Sequence, residues 1–110
     1  MMLLTKANRK SLPPLGSMDN VADPVAVVKF FNPTGSGSWF AMEFDKKDLF
    51  FGWVDGPYPE LGYFSLSELS AYRDKRFGLG IERDRYFSPT PLSELKESAA
   101  LTARATTVVS

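Results

Sequence analysis

The chain has 110 residues, 44% hydrophobic and 14% aromatic, so it can bury one core and is too apolar to stay disordered. Thirteen Lys and Arg balance thirteen Asp and Glu, which argues against both an acidic DNA mimic and a simple polybasic nucleic-acid binder. The absence of Cys and His excludes disulfides, Cys/His zinc sites and Ser–His–Asp or Cys–His catalysis. No apolar run resembles a signal peptide or a membrane span, so we expect a cytoplasmic protein with no membrane partner.

The first predicted element is a short helix. Thr5 is a suitable N-cap, and the helix is expected to end near Leu12, before Pro13-Pro14. Residues 14–24 are rich in Gly, Pro, Ser, Asp and Asn, which predicts a loop.

A β meander is predicted in the middle of the chain. The segments rich in β-branched and aromatic residues are 25–31, 39–44 and 49–54. In the second segment, Phe40, Met42 and Phe44 are expected on one face. The connections at 33–38 and 45–48 are too short for a parallel crossover, so the strands should run antiparallel.

The next predicted elements are a capped helix and a fourth strand. Residues 60–64 are predicted to be an extended approach to this helix, and Ser65 with Glu68 fits a capping box at its start. Residues 81–87 alternate in polarity and are predicted as the fourth strand.

A last helix is predicted near the C-terminal end. Thr90 as N-cap and Pro91 at the first helical position should open a helix over residues 92 to about 101. The predicted fold is therefore α+β, with about four antiparallel strands packed with two to three short helices. We expect residues 1–98 to form a single domain and residues 99–110 to be a mobile tail.

Two sets of residues resemble functional sites, but a structural explanation is favoured for each. Gly35-Ser-Gly37 resembles a phosphate loop, yet a strand follows where such a loop needs a helix, so a hairpin loop is favoured. Five carboxylates near strand ends could bind a divalent ion if they converged: Glu43, Asp55, Glu60, Glu82 and Asp84. Cross-strand ion pairing or solvation is the favoured alternative, so no metal ligands, cofactor or catalytic residues are predicted.

Cations alternate with aromatic residues in two nearby stretches, 73–77 and 83–87. Nucleic-acid surfaces combine these residue types. Residues 73–85 hold five cations and three anions, a net charge of only +2, so a solvated face with Phe77 and Phe87 in the core is favoured.

The stretch Pro57-Tyr-Pro-Glu-Leu-Gly-Tyr63 predicts a rigid loop, because proline fixes its backbone angle. Such a loop could present Tyr58 as a binding anchor, or it could fold over the sheet with Tyr58 and Tyr63 at the core edge. The residues predicted to contact a partner are Tyr58, Glu60, Tyr63, Trp39, Trp53, Arg73 and Arg76.

Two motifs carry a family resemblance, Pro59-Glu-Leu-Gly-Tyr-Phe-Ser-Leu-Ser-Glu-Leu69 and Glu82-Arg-Asp-Arg-Tyr-Phe87. With them, residues 3–96 resemble a family of short bacterial proteins, a domain of unknown function carried on plasmids and integrative conjugative elements. The resemblance implies a mobile-element setting and assigns no catalytic residues.

The leading functional hypothesis is a non-enzymatic inhibitor or adaptor that binds a host protein, such as a CRISPR effector or a restriction enzyme. The alternative is a nucleic-acid-binding accessory protein of plasmid transfer or maintenance. A carboxylate enzyme with a divalent ion is a third hypothesis. The sequence leaves the oligomeric state open.

Overall fold

A computed structural model describes the backbone of residues 3–109 and the side chains of residues 3–101. The helices are α1 (Lys6–Ser11), α2 (Leu66–Ala71) and α3 (Leu92–Val109). The strands are β1 (Val25–Ala26), β2 (Val28–Phe31), β3 (Ser38–Phe44), β4 (Leu49–Asp55), β5 (Glu60–Ser65), β6 (Glu82–Arg83) and β7 (Thr90–Pro91). They form one five-stranded antiparallel sheet in the order β5-β4-β3-β2-β6, and a two-stranded β1-β7 sheet. The predicted α+β class and the antiparallel meander are confirmed.

The helix α1 forms where the sequence predicts it. Thr5 accepts from the N–H of Asn8 at 3.1 Å, and the Asn8 side chain accepts from the Thr5 N–H in return. Leu12 follows the helix and is buried with Leu4. The Lys46 ammonium, from the turn between β3 and β4, donates to the carbonyls of Arg9 and Leu12 and so holds the end of the helix.

The predicted strand over residues 25–31 is divided into two strands that belong to different sheets. β1 pairs with β7, whereas β2 pairs with β3. Thr90 therefore lies in a strand and is not the N-cap of α3, which corrects the prediction. The Asp23 carboxylate takes that role, because it accepts from the Ser93 N–H at 2.9 Å and from the Ser93 hydroxyl at 2.7 Å.

The edges of the larger sheet also differ from the prediction. Residues 60–65 are a full strand that pairs with β4 from Val54↔Glu60 to Leu49↔Ser65. The predicted strand over residues 81–87 shrinks to the two residues of β6. A turn ends it, since Asp84 accepts from the Tyr86 N–H through its carboxylate and from the Phe87 N–H through its carbonyl.

A β-bulge explains why the predicted face of β3 is wrong. Ala41 pairs with Gly52 and Glu43 pairs with Phe51, so Met42 is an extra residue on its strand. The bulge reverses the alternation after Met42. Phe40 and Met42 therefore enter one core cluster, whereas Phe44 enters the cluster on the other face.

The two faces of the sheet carry separate core clusters. The first contains Leu4, Leu12, Val28, Phe30, Ala41, Phe44, Phe50, Phe64, Leu69 and Ile81, beneath α1 and α2. Its centre is a ring stack, with Phe50 at 4.5 Å from Phe44 and at 5.2 Å from Phe64. The second contains Ala26, Phe40, Met42, Trp53, Leu92 and Leu95, beneath α3.

A buried carboxylate fixes the loop over residues 14–24. Glu43 is buried, and its two oxygens accept from the N–H groups of Gly16 at 2.9 Å and Met18 at 2.7 Å. Hydrogen bonds of this kind offset the cost of burying a charge. Both carboxylate oxygens of Glu43 are thus hydrogen-bonded within the fold.

The backbone of α3 is helical through Val109, beyond the predicted end near Leu101. The expected mobility of residues 99–110 stays a prediction, and Ser110 lies outside the described residues. Between residues 3 and 109, no helix combines the length and apolarity that crossing a membrane requires.

Candidate functional site: an apolar cleft beside α2

The meander brings several predicted contact residues to one end of the sheet. The β2–β3 turn (32–37) and the β4–β5 turn (56–59) lie at this end, because successive antiparallel turns alternate between the two ends. Helix α2 starts at the opposite end and runs back, so that the Asn32 amide donates to the Tyr72 hydroxyl at 3.3 Å. We call these two turns together with Tyr72 the loop end.

An apolar cleft of about 200 Å³ opens between α2 and the sheet. Its lining residues are Trp39, Phe64, Ser65, Glu68, Leu69, Tyr72 and Ile81. We call this hollow the α2 cleft. Phe64, Leu69 and Ile81 are buried, while Tyr72 is exposed at the rim. A hollow of this size and lining can receive one apolar side chain of a partner.

The position of α2 is fixed by a cap built from two parts of the chain. The Ser65 hydroxyl accepts from the Glu68 N–H at 3.2 Å, as predicted. The carboxylate of the cap comes from Asp48 instead of Glu68, since Asp48 accepts from the Ser67 N–H at 2.7 Å. Hydrogen bonds from the hydroxyls of Ser67 and Ser65 lower the pKa of the Asp48 carboxyl. Glu68 therefore remains as an acidic group at the cleft.

Tyr58 is presented to solvent, as the rigid-loop interpretation predicts. Its side chain is 87% exposed, so the alternative of a core-edge position is wrong for Tyr58. Tyr63 is 65% exposed, and its ring contacts Phe51 edge-on with centroids 5.0 Å apart. Glu60 is exposed at the start of β5. Whether these three residues bind a partner stays a prediction.

The two tryptophans have different surroundings. Trp39 is half-buried and lines the α2 cleft. Trp53 is only 7% exposed, packs in the second core cluster, and has the Lys96 ammonium 6.0 Å from its ring. Trp39 can therefore meet a partner at the cleft, whereas Trp53 offers little surface.

The loop over residues 73–80 is ordered by one carboxylate. Although burial acts to raise the pKa of Asp74, hydrogen bonds from the N–H groups of Phe77, Leu79 and Arg76 lower it overall. Phe77 is 64% exposed, which corrects its expected place in the core, and the Arg76 guanidinium lies 5.3 Å from its ring. Phe87, in contrast, packs against the second core cluster.

Arg73 closes the C-terminal end of α2. Its guanidinium donates to the carbonyls of Ser70 at 2.9 Å and Tyr72 at 2.6 Å. Arg73 therefore lies beside the rim residue Tyr72, while Arg76 is farther along the same loop.

The five carboxylates considered for a metal site do not converge. Asp55 and Glu82 lie in one row across the sheet, joined through Ser38 and Phe31, which places them three strand spacings or about 14 Å apart. Glu43 is held by the 14–24 loop. Among the described residues, no group of three acidic side chains could hold a metal ion.

The sequence prediction included Trp39, Tyr58 and Arg73 but did not identify the cleft. Tyr72 was absent from the predicted contacts, although it lies three residues after Leu69 on one helical face. That spacing was the available signal. The contact of this face with Trp39 also depends on the extended residues 60–64 pairing with β4, which the sequence does not predict.

A family model described as a protein of unknown function (DUF2958) matches residues 2–108. The chain therefore belongs to the DUF2958 family. No curated protein and no solved structure matches the chain.

Proposed function

We propose that this chain is a non-enzymatic accessory protein of a mobile element that binds a host protein and inhibits a defence complex. The observation that carries the proposal is the open α2 cleft, with Trp39 in its lining and the exposed residues Tyr58 and Tyr72 at the loop end. The mobile-element setting rests on the resemblance in the sequence.

The chemistry of the cleft suits a protein partner. Binding energy concentrates where an apolar side chain fills a dry pocket surrounded by aromatic residues. Tyrosines contribute much contact area at low entropic cost, and Tyr58 and Tyr72 are both available. Glu68 at the cleft favours a partner with a basic residue beside its apolar anchor.

The test is an interference assay in a host that carries one CRISPR or restriction system, with and without this gene. The wild-type chain should relieve interference, and purified chain should bind the purified effector. Tyr72→Ala should weaken that binding at least tenfold, because it removes the rim of the cleft. Tyr58→Ala should have a smaller effect of the same sign.

Tyr86→Ala is the matched control. Tyr86 is 88% exposed but follows β6, at the sheet edge opposite β5. This variant should bind like the wild type. Interference that persists in every system tested would contradict the inhibitor proposal, and equal losses in Tyr72→Ala and Tyr86→Ala would contradict the cleft as its site.

Nucleic-acid binding is the second candidate, and the exposed pair of Arg76 and Phe77 favours it. A cation beside an exposed ring can contact phosphate and stack on a base. Mobility shifts with single- and double-stranded DNA at low salt test it. Phe77→Ala should abolish a genuine shift, while Tyr63→Ala should leave it intact; the absence of any shift would eliminate this candidate.

A further inference from the structure

Among the residues that the structure describes, no strand pairs with the outer edge of β5, and the positions of its outward backbone groups follow from the sheet register. The Leu66 N–H donates to the Asp48 carbonyl at 2.8 Å, so every second residue back along β5 also bonds to β4. These inward-bonding residues are Glu60, Gly62 and Phe64. Leu61 and Tyr63 consequently direct their N–H and C=O groups away from the sheet.

Nothing within β5 blocks another strand from pairing there. The strand contains no Lys, no Pro and no bulge, and Glu60, at its first position, is its single charged residue. Leu61 and Tyr63 are both exposed. Open apolar edges of this kind pair readily with another strand, and proteins usually block them with charges, prolines or bulges.

Gly62 lies in the middle of this edge without a reason inside the monomer. A Cβ at Gly62 would meet nothing within 4 Å, whereas a Cβ at Gly52, its partner on β4, would lie 1.9 Å from the Phe40 carbonyl oxygen. Glycine inside a strand weakens it, so packing among the described residues does not explain this position.

We propose that β5 pairs antiparallel with β5 of a second copy of this chain, with Gly62 opposite Gly62. Leu61 of each copy then lies opposite Tyr63 of the other. The outward N–H and C=O groups of these residues form four backbone hydrogen bonds, which satisfies every outward group of both residues.

Side chains and charges agree with this register. Leu61 and Tyr63 project on the same face, so each tyrosine ring extends its contact with Phe51 onto a leucine of the second copy. Each Glu60 lies opposite Phe64, which separates the two Glu60 residues by about 13 Å along the strands. No like charges face each other across the pair.

The pairing closes as a dimer because, among the described residues, the five-stranded sheet has one long open edge. The other edge, β6, is two residues long, and the Arg83 guanidinium next to it donates to the Leu3 carbonyl at 2.7 Å. Pairing through β5 alone is isologous and joins two five-stranded sheets into one.

Cross-linking tests the register directly, because the chain has no cysteine. Facing residues in a non-hydrogen-bonded pair are about 4.5 Å apart at Cα, within the range that a disulfide spans. Gly62→Cys should therefore oxidise to a covalent dimer at low protein concentration. Gly56→Cys, at an equally open glycine in the 56–59 turn, should stay mainly monomeric.

Sedimentation velocity of the full chain, from about 1 to about 300 µM, supplies the second test. The wild type should show a concentration-dependent dimer. Tyr63→Pro should weaken dimerisation at least tenfold with an unchanged circular dichroism spectrum, since it removes an N–H that β4 does not use. If Tyr63→Pro fails to fold, Leu61→Lys serves the same purpose.

A wild type that remains monomeric throughout this range would overturn the inference, as would equal cross-linking of Gly62→Cys and Gly56→Cys. The inference is separate from the proposed function. Self-association is measured on the purified chain alone, and inhibition of a defence system is measured in the host, so either can fail without the other.

Discussion

The two edges of the five-stranded sheet differ in length, composition and cover. β5 is six residues long, exposes Leu61 and Tyr63, and has no strand on its outer side within the described part of the chain. β6 is two residues long, Glu82–Arg83, and a turn at Asp84 ends it. The fold therefore limits pairing at one edge and leaves the other available. Because β6 belongs to the same sheet and is short, the small size of the sheet does not by itself explain why β5 is long and exposed.

The largest expected effect comes from substituting Gly52 on β4, and Gly62, its partner on the open edge strand β5, is the matched comparison. Gly52→Ala should destabilise the chain by about 3 kcal/mol or more, since its Cβ would overlap the Phe40 carbonyl oxygen at 1.9 Å and force β3 and β4 apart. Gly62→Ala should change the free energy of unfolding by about 0.5 kcal/mol or less. Urea unfolding at low concentration measures both.

Comparable losses in the two glycine variants would break the comparison, because Gly62 would then be required by the monomer. A normal stability for Gly52→Ala would contradict the close approach of the Phe40 carbonyl oxygen to Gly52.

An intermediate loss of stability is expected from a substitution at β6, the short edge strand. Arg83→Met keeps most of the side-chain volume but removes the donor to the Leu3 carbonyl, which should cost about 1–2 kcal/mol. The amide protons of residues 82–84 should exchange faster, because β6 loses its attachment to the N-terminal segment. Hydrogen exchange followed by mass spectrometry checks this result. Arg85→Met, at an exposed position nearby, is the control and should leave exchange at residues 82–84 unchanged.

The smallest expected effect concerns the C-terminal end of β5. There the Asp48 carboxylate, in the β3–β4 turn, accepts hydrogen bonds from Ser65 and Ser67. The pKa of Asp48 is lowered in the folded chain, so its contribution to stability is present above the unfolded pKa of about 3.9 and is lost as pH falls through the folded value. Asp48→Asn should therefore reduce stability at pH 7 and flatten the decline toward pH 2.

Thermal melting from about pH 7 to about pH 2 measures this difference. Asp19→Asn, at an exposed carboxyl in the 14–24 loop, is the control and should melt like the wild type. Parallel pH curves for the wild type and Asp48→Asn would contradict the assigned role of this carboxylate.

Local signals in the sequence predicted local structure well. The caps at Thr5 and Ser65 and the antiparallel meander follow from a few neighbouring residues. The bulge at Met42 and the Asp23 cap of α3 depend on partners far along the chain, and no local spacing reveals them. Residues 60–64 are predicted as extended but not as a strand of the sheet, because Gly62 interrupts their hydrophobic alternation.

For the candidate site, too, the sequence predicts individual residues but not how they are brought together. The proline-flanked loop leaves Tyr58 either exposed or at the core edge, and the structure decides for exposure. The α2 cleft forms where Trp39 from β3, Phe64 from β5 and Tyr72 after α2 come together. These are tertiary contacts, which local sequence patterns do not predict. Residue types alone also placed Phe77 in the core, where the Asp74 turn directs it to solvent.

The cap that Asp23 supplies to α3 has a consequence during synthesis. It joins residues 70 positions apart, and the adjacent β1-β7 pair joins Val25 to Pro91. Until the segment that forms α3 has left the ribosome, the nascent chain lacks Leu92 and Leu95 to cover Phe40, Met42 and Trp53. One face of the sheet therefore stays uncovered until the last helix emerges, and chaperones could bind the chain during that interval.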